Sequence, residues 1–417
     1  MAIVSPFRAV RPVAQFAAKV SAPPYDVVSL EEACDIAKDN PYSFLRVSRA
    51  ELELSPEVNS YSPSVYERGA QNLQNLISNG ILTREEQPVL GVYRQRWETH
   101  QQTGLVALAS VDEYDRGIIK KHELTRPAKE ADRVRIIHTH ESQSGPVLLF
   151  FRRPETFNDW LEWVTSTPPD LHFIADDNVE HTVWIVRDEP AIRQVVESFL
   201  SIETMYIADG HHRSAAASRV RAARRNATVT PTNTNEEGFL AVIFPHDALR
   251  VLPYNRVVRD LNGLTPTQFI KKLSVHFELQ LTLQPSNPPP AGFDMYIKNQ
   301  WHRATPKHLE NLSSGNGHDP IRSLAVSVLT ELVLDPLLGI MDQRSDPRID
   351  FVGGVRGVDQ LTKMVDHGDW SVAFWLYPTT VDELMAVSDA ELIMPPKSTW
   401  FEPKLRDGLF IHMLRDD

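Results

Sequence analysis

The sequence predicts a mixed α+β protein, with several mixed sheets and helices packed on them. Three observations carry that expectation. Short runs rich in Val, Leu, Ile and Phe recur along the chain, among them VLLFF, HTVWIV and FLAVIFP, as in buried strands. Amphipathic segments with recognisable helix starts are interspersed among them. The two kinds do not alternate regularly enough for a doubly wound parallel sheet. No internal repeat is visible.

The elements can be justified in order. APPYDVVSLEEACDIAKDNP (22–41) reads as an extended Pro-rich lead into a helix, with Ser29 and Glu32 spaced as a capping box. SPSVYERGAQNLQNLISNG (62–80) is a second helix. Ser62 is its expected cap, Pro63 suits its first turn, and Gly80 suits its exit. Its apolar positions Tyr66, Ala70, Leu73, Leu76 and Ile77 share one face, which should pack on a core. Cys34, in the first helix, is expected to be a small packed residue. PVLGVYRQRW and TGLVALASVDEY suggest a hairpin. GPVLLFFRR and HTVWIVRDE read as further strands, and PAIRQVVESFL as a helix. TMYIA is a short strand, followed by the helical HHRSAAASRVRAARR.

NATVTPTNTNEEG (226–238) is polar and reads as a loop. Strand-like FLAVIFP and RVLPYNRVV follow, then the Thr-capped helix TPTQFIKKLSVHF. Beyond the proline-rich LQPSNPPPAG, the chain reads helix (AVSVLTELVLDPLLGI), strand (WSVAFWLY) and helix (TVDELMAVSDA). The expected division is an N-terminal part, 1–226, holding most of the candidate site residues, and a C-terminal part, 238–417. A break near 284–292 is the alternative.

Composition narrows the function. The 417 residues carry 43 basic and 55 acidic side chains, a net charge of −12. Proteins that coat nucleic acid are usually basic, so nucleic acid is not the expected partner. The single cysteine excludes an intramolecular disulfide and a cysteine-rich metal site. No run approaches the roughly 20 apolar residues that span a bilayer, so no membrane association is expected. The N-terminus lacks acids until Asp26, but Pro6 and Pro12 interrupt any amphipathic targeting helix. A cytoplasmic protein is expected. GxSxG and Walker patterns are absent.

Four segments carry chemistry. In YIADGHHRSAAA (206–217) an apolar strand ends in Asp209 and Gly210, and a helix opens on His211, His212 and Arg213. The first amides of a helix lack intrahelical partners and lie at the positive end of its dipole, a ready anion site. Arg213 adds donors suited to phosphate, and Asp209 could hold a metal ion or a hydroxyl. The plainer alternative makes Asp209 a helix cap. Against it, cations in a first turn oppose the dipole, a broken local rule of the kind seen at functional sites.

In IIKKHELTRPAKEADRVRIIHTH (118–140), Lys121, His122, Glu123, Arg126 and Arg133 crowd together. A solvated charged helix and a site are both open readings. Thr125, Arg126 and Pro127 break a continuous helix, and a His-Glu pair can serve as base and orienter. It is not the HExxH zinc pattern. MPPKSTWFEPKLRDGLF (394–410) offers Lys397, Ser398 and Lys404, either as site support or as a rigid turn. RIDFVGGVRG (348–357) is a weak phosphate-loop signal. Asn255 and Arg256 in YNRVVRDLNG, and Tyr25 and Asp26 in APPYDVVS, are polar clusters in apolar settings.

Taken together, APPYDVVS, NPYSFLRV, IKKHELTRPAKEADRVR, YIADGHHRSAAA, LPYNRVVRDLNG, RIDFVGGVRG and MPPKSTWFEPKLRDGLF resemble, in that order, the bacterial family called domain of unknown function 1015. SPFRAVRP looks like that family's ordinary N-terminus. The Asp-Gly-His-His-Arg row further resembles the phosphate-binding turn of the ParB/sulfiredoxin superfamily, which includes free serine kinases. That resemblance implies a ParB/sulfiredoxin-like core around the turn. It also implies a small-molecule kinase that phosphorylates free L-serine to O-phosphoserine with ATP, or another phosphate donor, and magnesium.

Residue by residue, Gly210, His211, His212 and Arg213, helped by Lys121, Arg126 and Arg133, would hold the nucleotide phosphates. Asp209 would bind magnesium or the hydroxyl. Glu123, beside His122, would take the serine proton. Lys397, Ser398, Lys404, Asn255 and Arg256 would lend support. A ParB-like nucleotide-binding or hydrolysing regulator, possibly DNA-associated, is the alternative. A sulfiredoxin-like redox enzyme is disfavoured, because its turn needs a cysteine where this chain has His211.

Overall fold

The computed structural model describes residues 1–227, 235–285, 288–307 and 319–415. The middle of the polar loop expected over 226–238 and two residues of the proline-rich break near 288 therefore lie outside the described residues. The architecture is mixed α+β. The chain forms two compact units, Met1–Leu249 with Pro403–Asp417, and Arg250–Glu402. The division expected at 226–238 thus falls at residue 249, and the last residues return to the first unit.

A nine-stranded mixed sheet forms the heart of the first unit. In chain order its strands are β1 (Val4–Ser5), β2 (Leu90–Trp97), β3 (His100–Ser110), β4 (Ile119–Lys120), β5 (Val147–Phe151), β6 (Leu171–Ile174), β7 (Glu180–Val186), β8 (Met205–Asp209) and β9 (Gly238–Pro245). They lie in the order β4-β8-β5-β9-β3-β2-β7-β6, with β1 paired to β3. The expected hairpin is β2–β3, with Trp97 opposite His100. β5 and β9 are buried along their whole length, which is why their sequences read as unbroken apolar runs.

Among the described residues, six helices of eight residues or more accompany the sheet: α1 (Leu30–Ala37), α2 (Pro63–Ser78), α3 (Pro127–His140), α4 (Glu155–Thr165), α5 (Glu189–Phe199) and α6 (His211–Ala227). Phe157, Trp160, Val195 and Phe199 of α4 and α5 enter the same core as Leu149 and Phe151 of β5. Ala216 and Val220 of α6 meet Ile137 of α3 and Leu414 in a smaller cluster. The small side chains of α6 are what let α3 approach it.

The capping box of Ser29 and Glu32 forms as expected. Ser62 makes no side-chain cap; its hydroxyl pairs instead with that of Ser64 at 3.1 Å. Cys34 is exposed rather than packed, because Ala33 and Ala37 supply the buried side of α1.

The second unit carries a six-stranded sheet built from β10 (Tyr254–Val258), β11 (Phe277–Thr282), β12 (Phe293–Ile297), β13 (Gln300–Pro306), β14 (Ile349–Gly353) and β15 (Val372–Leu376). Their order is β11-β13-β12-β15-β10-β14, with every pairing antiparallel. Its helices are α7 (Pro266–Leu273), α8 (Gly357–Asp366) and α9 (Val381–Asp389). Capping boxes at Thr265/Gln268 and Thr380/Glu383 start α7 and α9. The long helix expected over 325–340 is shorter: Ala325–Leu329 is α-helical and Thr330–Leu334 forms a wider turn.

No helix among the described residues is long and apolar enough to cross a membrane.

Candidate functional site

Strand direction builds the site. β4 runs parallel to β8, with Ile119 beside Met205 and Lys120 beside Tyr206. Their C-terminal ends therefore share one edge of the sheet. The segment 121–126 and the turn 209–213, far apart in sequence, emerge side by side there. β5 is antiparallel to β8, so Ser144, Gly145 and Pro146, which precede it, reach the same edge. Ligands of α/β sheets gather at such carboxyl ends.

The turn is shaped by Gly210, whose φ of +103° lies in the left-handed half of the map. A Cβ there would come 3.2 Å from the Val147 Cα and 3.2 Å from the Arg213 Nε. Gly210→Ala is expected to cost about 1–3 kcal/mol of stability through backbone strain. A fall in Tm measures it; an unchanged Tm would refute the steric argument.

The Gly210 carbonyl accepts from the amides of Arg213 at 2.9 Å and Ser214 at 3.0 Å, starting α6. Arg213 is 12% exposed; it donates to the Pro146 carbonyl and lies 3.7 Å from Asp209. Lys404 reaches Asp209 Oδ2 at 3.3 Å. Burial pushes the Asp209 carboxyl up, but Lys404 and then Arg213 outweigh it and hold the group below the usual carboxylate range. Lys404 is fixed through its own backbone, since Gln95 donates to its carbonyl at 2.8 Å.

The two histidines of the turn face the 121–126 segment. His211 Nε2 accepts from the His122 amide at 3.4 Å, and the two rings meet edge-on with centroids 4.5 Å apart. His212 Nε2 accepts from the Arg126 amide at 3.0 Å. Burial holds the imidazoles of His122 and His211 near a pKa of about 3, so both are neutral at pH 7. The acceptor nitrogen of His211 is thus an uncharged lone pair, and His211 and His212 together clamp the backbone on either side of Glu123. Glu123 is partly exposed, and among the described residues no hydrogen bond or ion pair engages its carboxylate.

The remaining candidates divide. Lys121 lies 3.9 Å over the Tyr114 ring, and the Arg126 side chain is exposed. Arg133 is 12% exposed, pairs with Asp132 at 2.6 Å and lies 3.5 Å from the Tyr25 ring centroid. With Tyr25, Ser144, Gly145, Arg213 and Asp407 it lines a small cavity, bounded on its apolar side by Ile136, Ile137, Val147, Phe239 and Leu240. Two guanidinium groups beside an apolar wall are chemistry suited to an anion with an apolar body.

Asn255, Arg256, Lys397 and Ser398 lie in the second unit and are engaged within it. Arg256 donates to the Pro396 carbonyl at 2.9 Å, and Ser398 to that of Pro395 at 2.6 Å. Asn255 Oδ1 accepts from the Leu376 amide at 3.2 Å, and Lys397 lies 5.4 Å from the Tyr254 ring centroid. The segment 394–410 is thus split between the units, with Lys404 alone of its three candidates reaching the 209–213 turn.

The donor set does not fit a protein-built magnesium site. Asp209 is already engaged by two cations, and among the described residues no group of three or more His, Cys, Asp or Glu could hold a metal. Sequence reasoning passed over Asp407 and Gly145. The only signal for Asp407 was an acid between Arg406 and Gly408 in a basic, proline-rich tail.

The model of the family described as "Protein of unknown function (DUF1015)" matches residues 4–327. Among solved structures, the chain is similar to a free serine kinase in complex with AMP, at 12% identity and a TM-score of 0.35, covering 73% of this chain and 91% of that one. SbnI with C-terminal truncation from Staphylococcus aureus is similar at 12% identity, TM-score 0.38, covering 75% and 90%. A conserved hypothetical protein from Pyrococcus furiosus is similar at 14% identity, TM-score 0.34, covering 72% and 93%. No curated protein matches the chain.

Proposed function

The chain belongs to the DUF1015 family, and from that premise we propose that it is a small-molecule kinase that transfers a phosphoryl group from ATP or a related donor to the hydroxyl of free L-serine. The observation that carries the reading is the clamp of His211 and His212 on the amides of His122 and Arg126. It sets Glu123, whose carboxylate has no hydrogen bond or ion pair among the described residues, in a loop held against a helix start that bears Arg213. The choice of serine follows the resemblance of the Asp-Gly-His-His-Arg row to free serine kinases, as does a ParB/sulfiredoxin-like core around that turn.

Phosphoryl transfer asks for positioning and charge neutralisation more than for covalent chemistry. In this reading Arg213, at the start of α6, holds the transferred phosphoryl group, while Arg133 and Lys404 balance the remaining charge. Glu123 accepts the proton of the serine hydroxyl as its oxygen bonds to phosphorus. The bond from phosphorus to the bridging oxygen breaks, and the nucleoside diphosphate leaves with that electron pair. His211 and His212 position the loop rather than touch phosphate. Asp209 holds Lys404 and Arg213 in place, and magnesium enters only as a counter-ion of the nucleotide.

Phosphorus NMR of the protein with magnesium, a panel of amino acids and polyols, and ATP, ADP or pyrophosphate in turn tests the reading. A phosphomonoester signal that requires L-serine is expected. Nucleotide hydrolysis with no acceptor-dependent product would favour the ParB-like regulator instead.

A further inference from the structure

Asp407 lines the cavity of Arg133 and Arg213, and the proposed transfer gives it no task. It is 3% exposed, and among the described residues its side chain has no hydrogen bond or ion pair. The reason lies in its backbone. Asp407 exchanges both main-chain hydrogen bonds with Ala22, at 2.9 and 3.2 Å, and the next amide bonds the Ser144 carbonyl at 3.4 Å. These bonds pin the carboxyl in the wall of the cavity. Oδ1 is sealed against Gly145, where even a Cβ would stand only 3.0 Å away. Burying a carboxyl without a partner is costly, so its retention in a cavity lined by Arg133 and Arg213 calls for a ligand.

We propose, building on the phosphotransferase reading, that Asp407 contacts the substrate: it is protonated when a phosphoryl group occupies the cavity of Arg133 and Arg213, and it donates its O–H to a phosphoryl oxygen. Phosphate binding is thereby coupled to the uptake of one proton. An ionised carboxylate beside a phosphate dianion would repel it, whereas the acid form supplies a donor that two arginines alone do not. The charged groups facing Asp407 are Arg213 from α6, Arg133 from α3, Asp26 from the N-terminal segment and Arg406 beside it in the chain, and the neutral Tyr25 phenol lines the same cavity. Arg406 is directed at Asp177 and His181. Burial raises the Asp407 carboxyl to about 7; Arg213 pulls it down and Asp26 pushes it up. The acid is therefore poised where a bound dianion can tip it to the neutral form.

Titration calorimetry of the full chain with ADP at pH 8, in buffers of different ionisation enthalpy, tests the coupling. The terminal phosphate of ADP is then ionised, since phosphate esters have a second pKa of about 6. Uptake of close to one proton per ADP is expected. Affinity should fall by about tenfold per pH unit above pH 7, the limit for one linked proton. Asp407→Asn should bind ADP with no proton uptake and a flat profile over the same range. Equal proton uptake in both proteins, or none in the wild type, overturns the role of Asp407 while leaving the kinase reading intact. No ADP binding by the wild type overturns both.

Discussion

Arg213→Ala is expected to lower kcat/KM for phosphoryl transfer to L-serine by about a thousandfold, the usual scale for losing a donor aimed at developing charge in a water-poor site. Three features make the effect large. The guanidinium is nearly buried, its aim is fixed by the Pro146 carbonyl, and it stands at the start of α6, where it adds to the dipole instead of being solvated away. Arg213→Lys should recover only part of the loss, because an ammonium cannot hold both the carbonyl and a phosphoryl oxygen in one plane. Calorimetry with ADP separates lost binding from lost rate. An alanine variant with wild-type turnover would refute the assignment of the turn as the phosphoryl site.

Glu123→Gln is the second large effect. Loss of a general base costs about a hundredfold to ten-thousandfold in kcat. The amide keeps the size and shape of the side chain, and among the described residues Glu123 makes no hydrogen bond or ion pair whose loss could destabilise the fold. Tm and ADP affinity should therefore stay near wild type while kcat falls. A steady-state assay with the two variants side by side checks this. If Glu123→Gln turned over normally, the proton would have to go elsewhere, and the clamp by His211 and His212 would lose its proposed purpose.

The two variants differ in what they probe. Arg213 is legible in sequence because a cation in the first turn of a helix opposes the dipole, so its presence needs a reason. Glu123 is legible only as one member of a charged run that is ordinarily a solvated helix. What distinguishes it is the partnership of His122 with His211 and of Arg126 with His212, contacts across 89 and 86 residues of chain. No local pattern encodes such a pairing. It arises because β4, only two residues long, docks parallel to β8.

The histidines show how a correct location can carry a different duty. A His-His-Arg row at a helix start suggests three phosphate ligands. Folded, both histidines present an Nε2 lone pair to backbone amides, and His211 is too deeply buried to carry charge at neutral pH. Burial, which turns a potential cation into a neutral acceptor, is a tertiary quantity.

By itself, the sequence determined the kinds of element and most of their starts, through apolar period, capping boxes and proline positions. It also marked the Asp209–Arg213 turn, because a glycine and cations at a strand-to-helix junction break local preferences. Tertiary structure alone decided which distant segments share an edge of the sheet. It sent Lys404 to Asp209 and kept Lys397 and Ser398 in the second unit. It also left the Asp407 carboxyl buried with no hydrogen bond or ion pair among the described residues. The physical reason is that strand order and direction, set by the packing of the whole sheet, fix which side chains meet, while capping and periodicity act over only a few residues.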